Sequence, residues 1–188
     1  LFMQSGGVFE ATRFAAPCEV SRSTISNYLS ALEAMLVIQV IRPFSTRRST
    51  EIISAPKTYA FDTGFVCYFR GWHQLREEDL GPLWEHWVLN EINSRRQALT
   101  VRYWRDKRGH EVDLVLTQRG KGPMAIECKW KAENFEPRNL GAFRKQYPEG
   151  QNWIVCQNVD RPYGRSVDRL SVEFMSLEEM SKRLDHLS

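Results

Sequence analysis

Three charged side chains near the middle of this 188-residue chain have types and spacing that could do chemistry together: Asp113, Glu127 and Lys129. They lie in residues 109–130, GHEVDLVLTQRGKGPMAIECKW, where two aliphatic runs, 111–116 and 124–129, flank a connection at 118–123 rich in glycine and ending in proline. That pattern predicts a β-hairpin. Side chains two apart in a strand share a face, so Glu127 and Lys129 point the same way, and the partner strand brings Asp113 alongside them. Two carboxylates on one sheet face are costly to bury without compensation, so the cluster implies either an ion network or a bound cation.

A further acid comes from the preceding helix, expected from Pro82 in its first turn to about residue 96. Glu85 shares a face there with Val88, Leu89 and Ile92 by three- and four-residue spacing, which turns its carboxylate towards the sheet and suggests a shared metal ion. Glu91 is set apart, because Arg95 four residues on makes an ordinary helix ion pair with it. Glu111 shares the Asp113 face and either supports the site or pairs with a nearby arginine at the sheet edge. His110 reads as a turn residue. Trp84, Trp87, Trp104, Trp130 and Trp153 lie within or beside regular elements and are assigned to the core and the sheet cover.

The elements that must position these groups follow in order. Residues 100–105 read as a strand leading into the hairpin, 137–147 as a helix, 152–156 as a buried strand, 157–168 as a polar loop and 170–175 as a last strand. Ser176 with Glu179 predicts a capped closing helix. Upstream, 2–15 has helix-compatible spacing until Pro17. Ser21 is a good N-cap for a helix to about residue 35, with Ile25, Leu29, Leu32 and Leu36 on one side and Arg22, Ser23, Ser26, Asn27 and Ser30 on the other, short polar groups suited to phosphates or base edges. Strands are expected at 37–42 and 57–61 and a helix at about 62–70. The polar stretch 71–81, with Glu77, Glu78 and Asp79, reads as a linker, which divides the chain into domains at 1–75 and 76–188.

Composition bounds the reading. Hydrophobic residues make up 42% of the chain, enough for a real core, and the net charge of +3 is too slight to imply nucleic acid by itself. A nucleic-acid surface must then be local, with Arg47 and Arg48, or Arg102, Arg105, Lys107, Arg108, Arg119 and Lys121, as the basic groups available. The four cysteines are widely separated, without zinc spacing or a disulfide framework, which fits a reducing cytoplasm. No apolar run approaches the roughly 18 residues of a membrane span. The chain opens on Leu1 and is read as a fragment of something longer.

Several segments carry resemblances. VSRSTISNYLSALEAMLVIQVI resembles the recognition helix of helix-turn-helix proteins, and the two strands after it would make a winged helix with Arg47 and Arg48 in the wing. DNA binding through Arg22, Ser23, Asn27, Arg47 and Arg48 is one reading of that module, and a packing or protein-contact role is the other. The set Glu85, Asp113 and Glu127-Cys128-Lys129, on elements ordered helix, strand, strand, strand, helix, strand, resembles the PD-(D/E)XK nuclease superfamily over about residues 80–157. GPLWEHWVLNEI is similar to the first helix of archaeal-type Holliday junction resolvases. SRSTISNYLSALEAM, APKTYAFDTG, GPLWEHWVLNEI, YWRDKRGHEVDLVL and AIECKW, in that order, resemble the C-terminal region of prokaryotic AAA-type ATPases that carry a winged helix and a nuclease-like domain of unassigned function.

The resemblance implies an α/β protein, with an N-terminal winged helix followed by a restriction-endonuclease-like α-β-β-β-α-β core built on a mixed sheet. It implies Mg²⁺ or Mn²⁺ held by Asp113 and Glu127, with Glu85 reaching it directly or through water and the Cys128 carbonyl as an additional ligand. Lys129 would orient or activate the attacking water in hydrolysis of DNA phosphodiesters. The implied partners are DNA and an N-terminal ATPase domain. ATP would be bound only through that domain, because no glycine-rich loop ending in Lys-Ser or Lys-Thr occurs here. The alternative is a catalytically silent DNA- or protein-interaction module appended to the ATPase.

Overall fold

A computed structural model describes residues 1–46, 55–95, 99–118 and 120–186. Arg47 and Arg48, assigned above to a wing, lie outside the described residues, as does Arg119. The chain divides into two compact units, Leu1–Gln74 and Leu75–Ser188. Both mix helix and strand.

The first unit opens with a 3₁₀ turn at Phe2–Gln4, strand β1 (Gly7–Val8) and helix α1 (Ala11–Ala15). The single helix expected over 2–15 does not form. Gly6 adopts φ 85 and its amide donates to the Thr58 carbonyl at 2.8 Å, so a sheet contact with a distant strand replaces the helical one. Helix α2 (Arg22–Ala34) packs on α1 and starts where Ser21 predicts, with the Ser21 hydroxyl accepting from the Thr24 amide at 3.1 Å. Strands β2 (Ile38–Pro43) and β3 (Lys57–Ala60) pair antiparallel, and β1 pairs with β3. Helix α3 (Thr63–Arg70) is capped by the Asp62 carboxylate and closed by Gly71 in the left-handed region.

In the second unit, α4 (Glu77–Arg95) precedes β4 (Thr100–Arg105), β5 (Glu111–Thr117) and β6 (Met124–Lys129). Then come α5 (Pro137–Gln146), β7 (Asn152–Cys156), β8 (Tyr163–Val167), β9 (Leu170–Met175) and α6 (Leu177–Asp185). Strands β4, β5 and β6 are antiparallel neighbours, β6, β7 and β9 run parallel, and β8 pairs antiparallel with β9. The sheet is therefore mixed. Its parallel centre is apolar on both faces, as Trp153, Ile154, Val155 and Cys156 are all buried. Helix α5 packs on β5 through Leu140 and Phe143, and α4 packs on β6 and against α6 through Val88, Leu89 and Ile92.

Two local expectations are corrected in this unit. Residues 77–81 belong to α4 and not to a linker. The Asp79 carboxylate accepts from the Arg76 amide at 3.0 Å and from its guanidinium, so the helix starts a turn and a half ahead of Pro82. Proline is then inside the helix, where its missing N–H leaves one ladder bond unmade. Residues 157–168 contain β8. Its turn into β9 places Asp168 at φ 49 and Arg169 at φ 67, a conformation usually signalled by Asn-Gly or Asp-Gly, which the sequence lacks.

Candidate active site

The β5–β6 ladder runs from Leu116↔Met124 to Leu114↔Ile126. One residue further, a side chain takes over the pairing: Asp113 Oδ2 accepts from the Cys128 amide at 2.8 Å. That bond fixes the carboxylate at the mouth of the hairpin. Lys129 Nζ then lies 3.3 Å from the same oxygen and 2.8 Å from Glu127 Oε2. Glu127 faces Ile154 across the parallel β6–β7 pair and is only 2% exposed. Its other oxygen, Oε1, is buried without a hydrogen-bond partner.

The electrostatics follow from one ammonium serving two carboxylates. Burial, then the Asp113 charge, push the Glu127 carboxyl up to about 8, with Glu85 adding in the same direction and Lys129 opposing. Burial pulls Lys129 down, but Asp113 and Glu127 more than offset it, so its pKa is raised and the ammonium is firmly held. A permanently charged Lys129 can donate hydrogen bonds and stabilise negative charge; it cannot take a proton. Burial pushes the Cys128 thiol well up, so it is no thiolate ligand.

Glu85 is positioned by its neighbour. Trp84 Nε1 donates to the Val155 carbonyl at 2.9 Å, which anchors α4 on β7 and half-buries Glu85, whose charge acts on Glu127 and Cys128. The four residues proposed from sequence are thus brought into one electrostatic cluster. As the side chains stand, no three acidic, histidine or cysteine side chains among the described residues converge closely enough to hold a metal ion. Lys129 occupies the space between the two strand carboxylates. Glu127 Oε1 stays the buried oxygen of the set without a hydrogen-bond partner.

The neighbouring charges have their own partners. Glu91 takes Arg95 at 2.6 Å and the Ser181 hydroxyl at 2.9 Å, and Glu111 stands 3.8 Å from Arg105. His110 is more than a turn residue, since Nδ1 lies 2.7 Å from Asp106 Oδ2 and Arg138 Nε donates to Nε2 at 3.2 Å. On α2, Arg22, Ser23 and Asn27 are exposed. The Ser26 and Ser30 hydroxyls donate to carbonyls of their own helix at 3.1 Å each, which leaves them only lone pairs to offer outward.

Sequence reasoning missed one exposed group. Of the five tryptophans assigned to core and cover, Trp84, Trp104 and Trp153 are buried and Trp130 half-buried, but Trp87 is 57% exposed. Three-residue spacing from buried Trp84 gave no signal of that exposure.

A mixed α/β protein with a carboxylate–lysine cluster at the mouth of a hairpin is the class that fold and site define. The chain belongs to the family described as domain of unknown function DUF4143, whose model matches residues 80–177. A second model, the domain of unknown function DUF8612, matches residues 1–76. The chain is also similar to the uncharacterized proteins Mb2031c of Mycobacterium bovis and Rv2008c of Mycobacterium tuberculosis, each 28% identical over 128 residues, or 66% of this chain. It spans 29% of the length of these curated relatives. Among the described residues no helix is long and apolar enough to cross a membrane.

Proposed function

We propose that residues 76–188 form a PD-(D/E)XK-like, metal-dependent domain that hydrolyses DNA phosphodiesters, and that residues 1–75 form a winged helix that holds the DNA. The observation carrying this reading is Glu127 Oε1, a buried carboxylate oxygen with no hydrogen-bond partner beside a second carboxylate and a fixed ammonium. An unsatisfied buried acid oxygen is costly in a purely structural network and is of the type that suits a divalent cation.

Asp113 and Glu127 would hold Mg²⁺ or Mn²⁺, with Glu85 reaching it directly or through water and the Cys128 carbonyl as a further ligand. When bound, the ion polarises the phosphodiester and offsets its charge. Lys129, held as an ammonium, orients the attacking water and stabilises the charge that develops on phosphate oxygens. Arg22, Ser23 and Asn27 on α2, with Arg47 and Arg48, contact the DNA backbone and base edges. The chain acts as the C-terminal part of an AAA-type ATPase, which supplies ATP binding from a separate domain, in the cytoplasm.

The purified chain should cut branched, single-stranded or duplex DNA with Mg²⁺ or Mn²⁺. Asp113→Ala and Lys129→Ala should each abolish cutting while the thermal unfolding transition remains cooperative. Cutting by both variants at the wild-type rate would sink the proposal. A second reading, a silent DNA- or protein-interaction module, is favoured by the position of Lys129 between the carboxylates; Mn²⁺ binding unaffected by Glu127→Ala, or absent, decides for it.

A further inference from the structure

The turn between β4 and β5 is built around one carboxylate. Asp106 Oδ1 accepts from the amides of Arg108 and His110 at 2.8 and 2.9 Å, and Oδ2 lies 2.7 Å from His110 Nδ1. Arg138 Nε then donates to His110 Nε2 at 3.2 Å. A guanidinium can only donate, so Nε2 carries the lone pair, the imidazole is neutral, and its one N–H sits on Nδ1 and goes to Asp106. The chain Asp106–His110–Arg138 thus fixes an exposed arginine by its Nε alone. No carboxylate among the described residues lies within ion-pair distance of that guanidinium. Its place in the first turn of α5 also sets a cation against the positive end of the helix dipole, with no acidic residue in that turn to offset it.

The register puts this arginine at the same end and on the same face of the sheet as the carboxylate–lysine cluster. Strands β5 and β6 are antiparallel, so the start of β5, which His110 immediately precedes, lies where β6 finishes in Lys129. Asp113 is three residues further along, about 10 Å at strand rise. Glu127 pairs with Ile154 and Ile154 with Phe174, so the three share one face, and the Phe174 ring meets Phe135, two residues ahead of α5, at 5.6 Å. The start of α5, and Arg138 with it, therefore stands on the face that bears Glu127 and Lys129.

Resting on the nucleic-acid reading of the Asp113–Glu127–Lys129 site, we infer that Arg138 grips a backbone phosphate of the bound DNA, a few nucleotide steps of about 3.4 Å from the phosphate at that site, and that Asp106 and His110 are the positioning residues that fix its guanidinium. Lys129 is already committed to two carboxylates, whereas Arg138 is committed only through Nε to a neutral ring. A fork anchored at Nε keeps both terminal nitrogens for a two-pronged contact with phosphate oxygens. Holding it in place beforehand removes the rotamer freedom that a loose surface arginine would lose on binding. Lys107 and Arg108, exposed on the same turn, add positive charge. The contact is to the backbone, so it sets the register of the strand on the protein and reads no sequence.

The test is the salt dependence of binding of a fluorescently labelled mixed-sequence duplex to the 188-residue chain in EDTA. Wild type is compared with Arg138→Gln, with Arg138→Lys and, as a control of equal charge loss, with Arg161→Gln in the exposed loop before β8. Loss of one phosphate contact should weaken binding at low salt and reduce the slope of log K against log salt by about 0.9 in Arg138→Gln. Arg138→Lys keeps the charge and should restore the slope while binding less tightly than wild type. Arg161→Gln should leave the slope unchanged, and the thermal midpoints of the Arg138 variants should match wild type. His110→Ala should weaken binding in the wild-type background and have no further effect in Arg138→Gln, because it acts through the guanidinium. The inference is overturned if Arg138→Gln keeps the wild-type slope, if Arg161→Gln lowers it equally, or if the losses from His110→Ala and Arg138→Gln add. None of these readouts needs cutting. A wild-type chain that binds no duplex overturns the nucleic-acid reading and this inference together, whereas duplex binding with an unaltered Arg138→Gln slope overturns this inference alone.

Discussion

Lys129 Nζ and Glu127 Oε2 lie 2.8 Å apart on one face of β6, and this contact leaves the second oxygen of Glu127 buried without a partner. One ammonium therefore serves two acid side chains, Asp113 and Glu127, and its removal would leave both without their hydrogen-bond donor. Lys129→Met should destabilise the chain by roughly 3–5 kcal/mol, the usual consequence of breaking a buried pair from one side. The double variant Glu127→Gln/Lys129→Met should recover a large part of that loss. Urea unfolding midpoints for the three proteins check this, and a single variant as stable as wild type would show that the cluster is solvated and not coupled.

The raised Glu127 carboxyl gives stability a definite pH dependence. Its pKa is pushed from 4.5 to about 8 by burial first and by Asp113 next. Between those values the folded state keeps a proton that the unfolded state has released, so stability falls as pH rises and levels off above about 8. Glu127→Gln removes the titration. The stability of wild type relative to Glu127→Gln should decline across that window, and parallel curves would contradict it.

Arg144 is buried on α5 with five acceptors and no carboxylate: Asn152 Oδ1 and the carbonyls of Tyr147, Glu149, Gln151 and Pro123. Burial lowers its pKa to about 10, still far above neutrality, so the charge persists and ties the 147–151 loop to the β5–β6 connection. Arg144→Lys should cost about 3 kcal/mol or more, since one ammonium cannot reach acceptors arranged for a planar fork. Gly150→Ala should act at the same place: Gly150 has φ 108, and an added Cβ would run into the Pro123 carbonyl. Thermal melts of both variants with wild-type midpoints would argue that this loop is loose.

Trp84→Phe keeps an aromatic ring and removes only the N–H to the Val155 carbonyl. A loss of about 1–3 kcal/mol is expected from the buried acceptor left behind. Because the same bond seats α4 over β7, the variant should also disturb Glu85. A metal affinity that falls in Trp84→Phe, beyond what its stability loss explains, distinguishes positioning from packing; an unchanged affinity removes Trp84 from the site.

Much of this was readable from local chemistry. Ser21 and Ser176 cap the helices they were expected to cap, because a side-chain oxygen beside a free helix N–H needs no distant partner. Period-two alternation was enough to put Glu127 and Lys129 together, and the aliphatic runs around the glycine connection were enough to make the hairpin that adds Asp113. Glu85 followed from helical spacing alone.

What the sequence could not determine depends on groups far apart in the chain. Pairing of Gly6 with Thr58 overrode a helix-compatible segment, and pairing with β9 made a strand of residues whose turn carries no glycine signal. Arg144 is enclosed by five acceptors from separate segments, which no local spacing announces. The orphan oxygen of Glu127 and the wet ring of Trp87 are likewise tertiary facts: spacing says which residues share a face, but only packing decides which atom on that face is left without a partner and which ring is left in water.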